Sequence, residues 1–447
     1  MTSVSPRQVR ETMEGAVGAR SVSEDVAGYV IDGLRPKAVV LPNSVQELSQ
    51  AMAAAWEGDM AVAPWGGGTR VELGNTITRL DVVADLSRLN QVVNYNPADL
   101  TCTVEAGISL DGLQRSLAEQ GQFLALSPPL PDRASIGGTL AAGVSGPLKW
   151  QYGNARDLVI GMKVVQADGK VIKSGGQVVK NVSGYDMTRL HIGAIGSLGI
   201  IAEVSFKLTP LPPQQTTLLA GFDANGPCLE AGLGIFHSDV MPLALTAFDS
   251  GVNERAEVAG IAVASFLAIR LGGRPLTLER QLGDCSSILT EHGATTVETL
   301  DGSRAETLWR KVADFGWDES AKPLMTARVH ILPTDISELS PVLGRSGNSG
   351  ALYPAIVSHP GYGNVTVNWF AQGEGVSDAL AGDVLSQARD AVHSLGGRMV
   401  IERCPLDVKS RFDVWDEPGE PLAIMRRMKE QYDPKGILNP GRFVGGK

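Results

Sequence analysis

The heptapeptide PWGGGTR, residues 64–70, sets three glycines in a row at the end of a short apolar stretch, MAVAP. Glycine loses more backbone freedom on folding than any other residue. A run of three persists where the chain must turn through positive φ, or where something comes too close for a Cβ. Taken alone, the run fits a tight turn, or a cradle whose backbone N–H groups converge on an anion. It is neither G-x-G-x-x-G nor G-x-x-x-x-G-K-[ST], so neither the Rossmann nor the P-loop reading applies. Three more stretches rich in small residues follow: ASIGGTLAAGVSGP (134–147), YGNARDLVIG (152–161) and IGAIGSLGII (192–201). Four such stretches outnumber what turns require. One large ligand, contacted along its length, explains them together.

The surrounding pattern alternates strands and helices. Residues 39–41 read as a strand, and Ser44 with Glu47 forms a capping box that opens a helix toward Trp56. MAVAP is a second strand, so the glycine run lies at the end of a strand that follows a helix. DLTCTVEAG alternates like a half-buried strand. SLDGLQRSLAEQG reads as a helix capped by Ser109 and stopped at Gly121. LVIGMKVVQADGKVIKSG is two strands around the turn Asp168-Gly169. The strand GIIAEVSFKLTPLPP ends in prolines, which sets a boundary there. The expected division is a lead-in at 1–35, a first domain at 36–213, a second at 214–397 and a C-terminal segment at 398–447. In the second domain the strands TTLLAGF, LALTAF, SFLAIRL, ARVHIL and VTVNWF intersperse with two long helices, an α+β pattern.

Composition narrows the function. The 447 residues are 43% hydrophobic and 20% charged, with a formal net charge of −10. That balance argues against nucleic acid or an anionic membrane surface as the main partner. An anionic substrate then needs a local Arg or Lys. No apolar run reaches the roughly 18 residues of a membrane span, and the first 20 residues show no secretory pattern. A cytoplasmic location is expected, with peripheral membrane attachment only through partners. Cys102, Cys228, Cys285 and Cys404 lie far apart. They read as reduced thiols, and no iron–sulfur cluster is expected in this chain.

In company, the motifs PWGGGT, DLSRLNQVV, VEAGISLDGLQ, ASIGGTLAAGVSGP, YGNARDLVIGMKVVQADG, KNVSGYDMTRLHIGAIGSLGIIAEV and the terminal DPKGILNPGRF resemble the FAD-binding oxidoreductases of the vanillyl-alcohol oxidase type. Within that group they are most similar to the FAD-binding subunit of glycolate oxidase complexes. The resemblance implies an α+β fold: a two-subdomain FAD-binding domain plus an α+β cap. It implies that Pro64, Trp65, Gly66, Gly67, Gly68, Thr69 and Arg70 bind the FAD pyrophosphate. Ser135, Ile136, Gly137, Gly138, Ala142 and Gly143 line the flavin and its linker, with Gly153 and Asp157 supporting that loop. Gly199, Ile200 and Ile201 meet the cofactor through main chain, and Asn439 returns the C-terminus to the flavin. Some relatives hold flavin through a loop histidine. This loop has none, so noncovalent FAD is expected.

Relatives that oxidise 2-hydroxy acids carry motifs like H-x-G-D-G-N-x-H and G-G-x-x-x-x-E-H-G-x-G, whose histidines and acids hold a divalent metal or act as the base. Here SHPGYGNVTVNW keeps His359, Gly361, Gly363 and Asn364, but has Tyr362 and Thr366 where the acid and second histidine stand. GGRMVIERCP keeps Glu402, with Arg403 and Cys404 following. No catalytic metal is expected. The candidate catalytic residues are His359 or Tyr362 as base, Arg403 as a clamp on a carboxylate, and Glu402 beside it. Each also reads structurally: His359 as a turn or core histidine, Arg403 as an ion-pair partner of its own strand. TEHGA at residues 290–294 mimics the altered motif but ends a helix. KWQY at 149–152 is not placed by the sequence.

Three functions remain open. The first is an FAD-carrying subunit of a glycolate oxidase-like complex, acting on a small 2-hydroxy acid such as glycolate or D-lactate beside a catalytic flavoprotein subunit and an iron–sulfur subunit. The second is a self-sufficient FAD-dependent 2-hydroxy-acid dehydrogenase. The third is a scaffold without chemistry.

Overall fold

The computed structural model describes residues 5–176, 186–319, 322–347, 350–373 and 375–446. The beginning of the KNVSGYDMTRL motif, residues 180–185, lies outside them. The chain folds as two compact units, each built from discontinuous stretches. The first comprises residues 1–145, 154–211 and 417–447; the second comprises 146–153 and 212–416. The strand Arg398–Arg403 is thus part of the second unit, and the segment that rejoins the first begins at Glu417.

The first unit holds two main sheets. In the four-stranded sheet, Val22–Ser23 pairs with Ala38–Val40, and Ala38–Val40 and Val62–Trp65 flank Val82–Asp85 in parallel. The helix Val45–Glu57 crosses between two of these strands and buries Val45, Leu48, Ala51, Met52 and Ala55. Ser44 caps it through the Glu47 amide at 3.1 Å. The reciprocal half of the expected box is replaced: Glu47 accepts from the Asn43 amide, at 2.9 Å, and from Ser21 Oγ. These partners hold its carboxyl below the usual range.

The second sheet is antiparallel, in the order Val92–Asn96, Thr101–Glu105, Ile200–Lys207, Val159–Val165, Val171–Gly175. The hairpin at Asp168-Gly169 forms as the sequence predicts, with Gly169 at φ 84°. Thr101–Glu105 is buried along nearly its whole length rather than on alternate residues, because strands pair with it on both sides and both its faces are covered. All four cysteines of the chain are free; burial pushes the Cys102, Cys228 and Cys285 thiols up to about 12.

The second unit is an eight-stranded antiparallel sheet with helices on both faces. Alternation along Asn364–Ala371 shows why. Val365, Val367 and Trp369 enter the larger core beneath the helices Asn225–His237, Pro275–Glu291, Ile336–Arg345 and Asp378–Ser394. Phe370 enters a smaller core with Phe248, Phe266 and Phe315, beneath the helix Gly302–Asp314. On that second face two adjacent strands near one edge of the sheet, Met325–His330 and Asn364–Ala371, turn polar, with Thr326, Arg328, Asn364, Thr366 and Asn368 alternating with core residues.

Candidate functional site

A groove with about 760 Å3 of empty space, open to solvent, lies entirely within the first unit. Pro64, Trp65, Gly66, Gly67, Gly68, Thr69 and Arg70 form one wall. Ser135, Gly137, Gly138 and Ala142 form another, and Ile200, Ile201 and Asn439 close it. These fourteen of the nineteen residues that the sequence nominates come together from stretches 375 residues apart. The other five lie elsewhere. Ile136 points into the core. Gly143, at φ 68°, backs onto Gly193. Gly199 packs on Val164 and His191. Gly153 ends the short helix Lys149–Tyr152 at φ 85°. Asp157 accepts from the Asn154 amide at 2.8 Å and so braces a turn.

The glycine run has a local explanation. A Cβ on Gly66 would overlap the Ser135 hydroxyl, and one on Gly67 would overlap the Arg133 carbonyl. Gly68 takes φ 72° against the Trp65 ring. The chain itself is what comes close: the loop at 66–68 is pressed onto the loop at 133–135, which joins the two walls of the groove. Ser135 Oγ also accepts from the Gly138 amide, at 3.2 Å, which opens the helix Ile136–Ala141.

Sequence reasoning passed over several groove residues. Arg442 is buried; its Nη1 donates to Asn439 Oδ1 at 3.1 Å, and its Nη2 to the Val71 and Leu73 carbonyls at 2.6 Å. Burial lowers its pKa to about 10. Asn439 donates to the Ile195 carbonyl at 2.6 Å and sits at φ 45°. Leu438 bridges Val62, the strand that leads into the glycines. Arg70 and Arg442 give the groove positive charge, the complement of a diphosphate. The tight glycine wall, the two guanidinium groups and the elongated lining fit a dinucleotide cofactor. FAD held here by the residues named above would supply an acceptor for hydride.

The second unit carries the residues nominated for catalysis. His359, Asn364 and His330 stand in register across three strands, with Thr366 and Arg328 in the next row. His359 Nδ1 lies 3.0 Å from Thr246 Oγ1, and the ring stacks on Tyr362 at 5.0 Å. Burial holds His359 down at about 4, opposed by a backbone hydrogen bond at Leu245, so the ring is neutral at pH 7. Burial raises Tyr362, whose hydroxyl lies 3.4 Å from the Gly146 carbonyl. Lys149 stands 4.7 Å from the Tyr362 ring centroid, and Trp150 fills the space a Cβ on Gly361 would need. That places KWQY in the second unit, against the altered histidine motif.

Glu402 is buried and pairs with Arg328 at 3.3 Å. Arg403 donates to the Gly316 carbonyl at 2.8 Å and lies over the Trp317 ring at 5.0 Å. The motif-based reading overlooked Arg328 and His330 because they lie on a neighbouring strand, ARVHIL. Their alternation with Ala327 and Val329 was the available signal. Desolvation, with the charges of Arg328 and Lys149, holds His330 at about 4. TEHGA is the end of the helix Pro275–Glu291, with Gly293 at φ 79° and His292 Nδ1 3.0 Å from the Ile288 carbonyl.

A glycine-walled groove that fits a dinucleotide in one unit, and a large antiparallel sheet with a partly polar second face in the other, suit a flavin-dependent oxidoreductase. Residues 36–175 match the FAD binding domain, and residues 211–443 match the C-terminal domain of the FAD linked oxidases. The chain belongs to the FAD-linked oxidases; it is an oxidoreductase and its cofactor is FAD. It is 27% identical over 430 residues to the glycolate oxidase subunit GlcD of Bacillus subtilis, covering 91% of this chain and 89% of that one. It is 28% identical over 434 residues to a D-2-hydroxyglutarate dehydrogenase of Xanthomonas citri, with the same coverage. Among solved structures, p-cresol methylhydroxylase superposes with a TM-score of 0.75 at 17% identity, over 98% of this chain and 96% of that one. The fold is of the vanillyl-alcohol oxidase type. Among the described residues no helix is long and apolar enough to cross a membrane.

Proposed function

We propose that this chain is the FAD-binding subunit of a glycolate oxidase-like complex. It holds FAD noncovalently in the groove of the first unit and passes electrons from a small 2-hydroxy acid to an iron–sulfur partner. The observation that carries this reading is the pairing on the polar face of the second unit. Glu402, the acid kept from the oxidising relatives' motif, is committed to Arg328, and His359 is committed to Thr246. Both groups are therefore engaged as structural partners. The likeness to a glycolate oxidase subunit supports the same assignment.

A second reading has its own support. Arg328, His330 and His359 share one sheet face, and two relatives are named D-2-hydroxyglutarate and D-lactate dehydrogenase. In that case the chain oxidises the acid itself. Arg328 clamps the carboxylate, and the neutral His359 ring takes the hydroxyl proton. Arg403, held by Gly316 and Trp317, supports the strand.

An anaerobic absorbance experiment separates the two. The purified chain is loaded with FAD and mixed with glycolate or D-lactate. A flavin band that stays oxidised with both acids, yet bleaches with dithionite, supports the subunit. Bleaching by either acid at enzymatic rates overturns it in favour of the dehydrogenase.

A further inference from the structure

A buried ion pair, between Lys429 and the first residue of the terminal motif DPKGILNPGRF, holds the C-terminal segment in place. Lys429 is the buried residue of the helix Pro421–Tyr432, with 4% of its surface exposed. Its ammonium donates to Asp433 Oδ2 at 2.7 Å, the Ser197 carbonyl at 2.8 Å and the Leu438 carbonyl at 2.9 Å. An ammonium has three donors, so the set is complete. Asp433 in turn accepts from the Ile437 amide at 3.0 Å and the Leu438 amide at 2.8 Å. Desolvation pulls Lys429 below its ordinary range, and Asp433 opposes that shift.

The acceptors belong to separate parts of the first unit. Ser197 follows Ile195 and Gly196 on one wall of the groove; Leu438 precedes Asn439 on another. Asn439 then bonds back to Ile195, and Arg442 bonds to Asn439. One nitrogen therefore ties two walls together, and the residues it orders are those that line the groove.

We propose that Lys429 is a positioning residue for FAD: the Lys429–Asp433 pair pre-orients Asn439 and Arg442, and its loss weakens FAD binding out of proportion to its effect on stability. The proposal rests on the groove being the FAD site. Its physical basis is that a site populated only part of the time binds with an affinity reduced by that fraction. When Lys429 goes, Asp433 keeps its two backbone donors, but the direct tie between the Ser197 and Leu438 carbonyls is lost and the Asn439–Ile195 hydrogen bond is left to join the two walls without it.

The test is the FAD dissociation constant of the apoprotein, read by flavin fluorescence at a temperature where each variant is folded. Lys429→Met is expected to raise it about tenfold or more, the result of a competent fraction near a tenth. Leu113→Ala, a core truncation in the first unit, is expected to lower the thermal midpoint while leaving the constant within about twofold. An unchanged constant in Lys429→Met, or an equal rise in Leu113→Ala, overturns the proposal. Should Lys429→Met not fold, Lys429→Arg carries the same comparison, because a planar fork cannot serve three acceptors arranged around one nitrogen. Amide exchange in the unmodified chain gives an independent reading. FAD is expected to slow the Ile437 and Leu438 amides more than the sheet amide of Val204; equal slowing counts against the proposal. Ala142→Phe tests the groove itself: FAD binding at undiminished affinity in that variant overturns the groove assignment, whatever Lys429 does.

Discussion

At the scale of single residues, the glycine run answers to two demands at once. Gly66 and Gly67 are required by the neighbouring loop, and Gly68 by its positive φ. Gly67→Ala, which drives a methyl into the Arg133 carbonyl, is expected to cost about 1–3 kcal/mol of stability and to abolish FAD binding, measured by thermal melting and flavin fluorescence. The two arginines near Glu402 are expected to separate in the same way. If the chain oxidises the acid itself, Arg328→Gln should weaken glycolate binding about tenfold or more by calorimetry, since an arginine–carboxylate hydrogen bond contributes about 1.5–3 kcal/mol; if Arg328 only pairs with Glu402, glycolate binding does not change. Arg403→Gln should leave glycolate binding unchanged and lower the thermal midpoint, because Arg403 bonds Gly316 and covers Trp317. Motif comparison put Arg403 forward because it sits where a histidine stands in relatives. It did not find Arg328, which no motif contains and only strand register brings beside Glu402.

At the scale of elements, the short helix Thr188–His191 carries a built-in acid sensitivity. His191 is buried, its ring meets Tyr432 edge-on at 6.0 Å, and neither ring nitrogen has a hydrogen-bond partner among the described residues. Desolvation lowers its pKa from 6.5 to about 4. Between those values the unfolded chain binds the extra proton, so stability rises with pH across the window. It is fully present above about pH 6.5 and is lost as the pH falls toward 4. The loss is of order 3 kcal/mol, and urea unfolding at pH 7 and pH 4.5 measures it. The His191→Leu variant should lose less between the same two conditions; an equal loss would show that other groups govern the acid limb. Elements were largely legible where local chemistry decides them. Ser109 opens the helix Leu110–Ala118, and Asp168-Gly169 turns the hairpin. The burial pattern of Thr101–Glu105 was not, because it is an inner strand whose place between two others, one of them about a hundred residues away in sequence, is set only by tertiary pairing.

For the whole molecule, noncovalent FAD carries a direct expectation. Acid precipitation of the loaded protein should leave all the flavin in the supernatant, and flavin retained in the pellet would contradict it. FAD at a hundred times its dissociation constant should stabilise the folded chain by about 2.7 kcal/mol, seen as a higher thermal midpoint. The sequence by itself determined the ordered series of small-residue stretches and the strand and helix periodicities, and the family resemblance of those motifs implied the cofactor. Those features follow from local rules: what fits at positive φ, what caps a helix, and which side of a strand is apolar. Only the tertiary structure decided that the glycines pack against residues 133–135, that Arg442 joins Asn439 at the groove under the hold of Lys429, and that Glu402 pairs with Arg328. Each of these joins residues from different strands or loops, and such contacts exist only once sheet register and chain return are set.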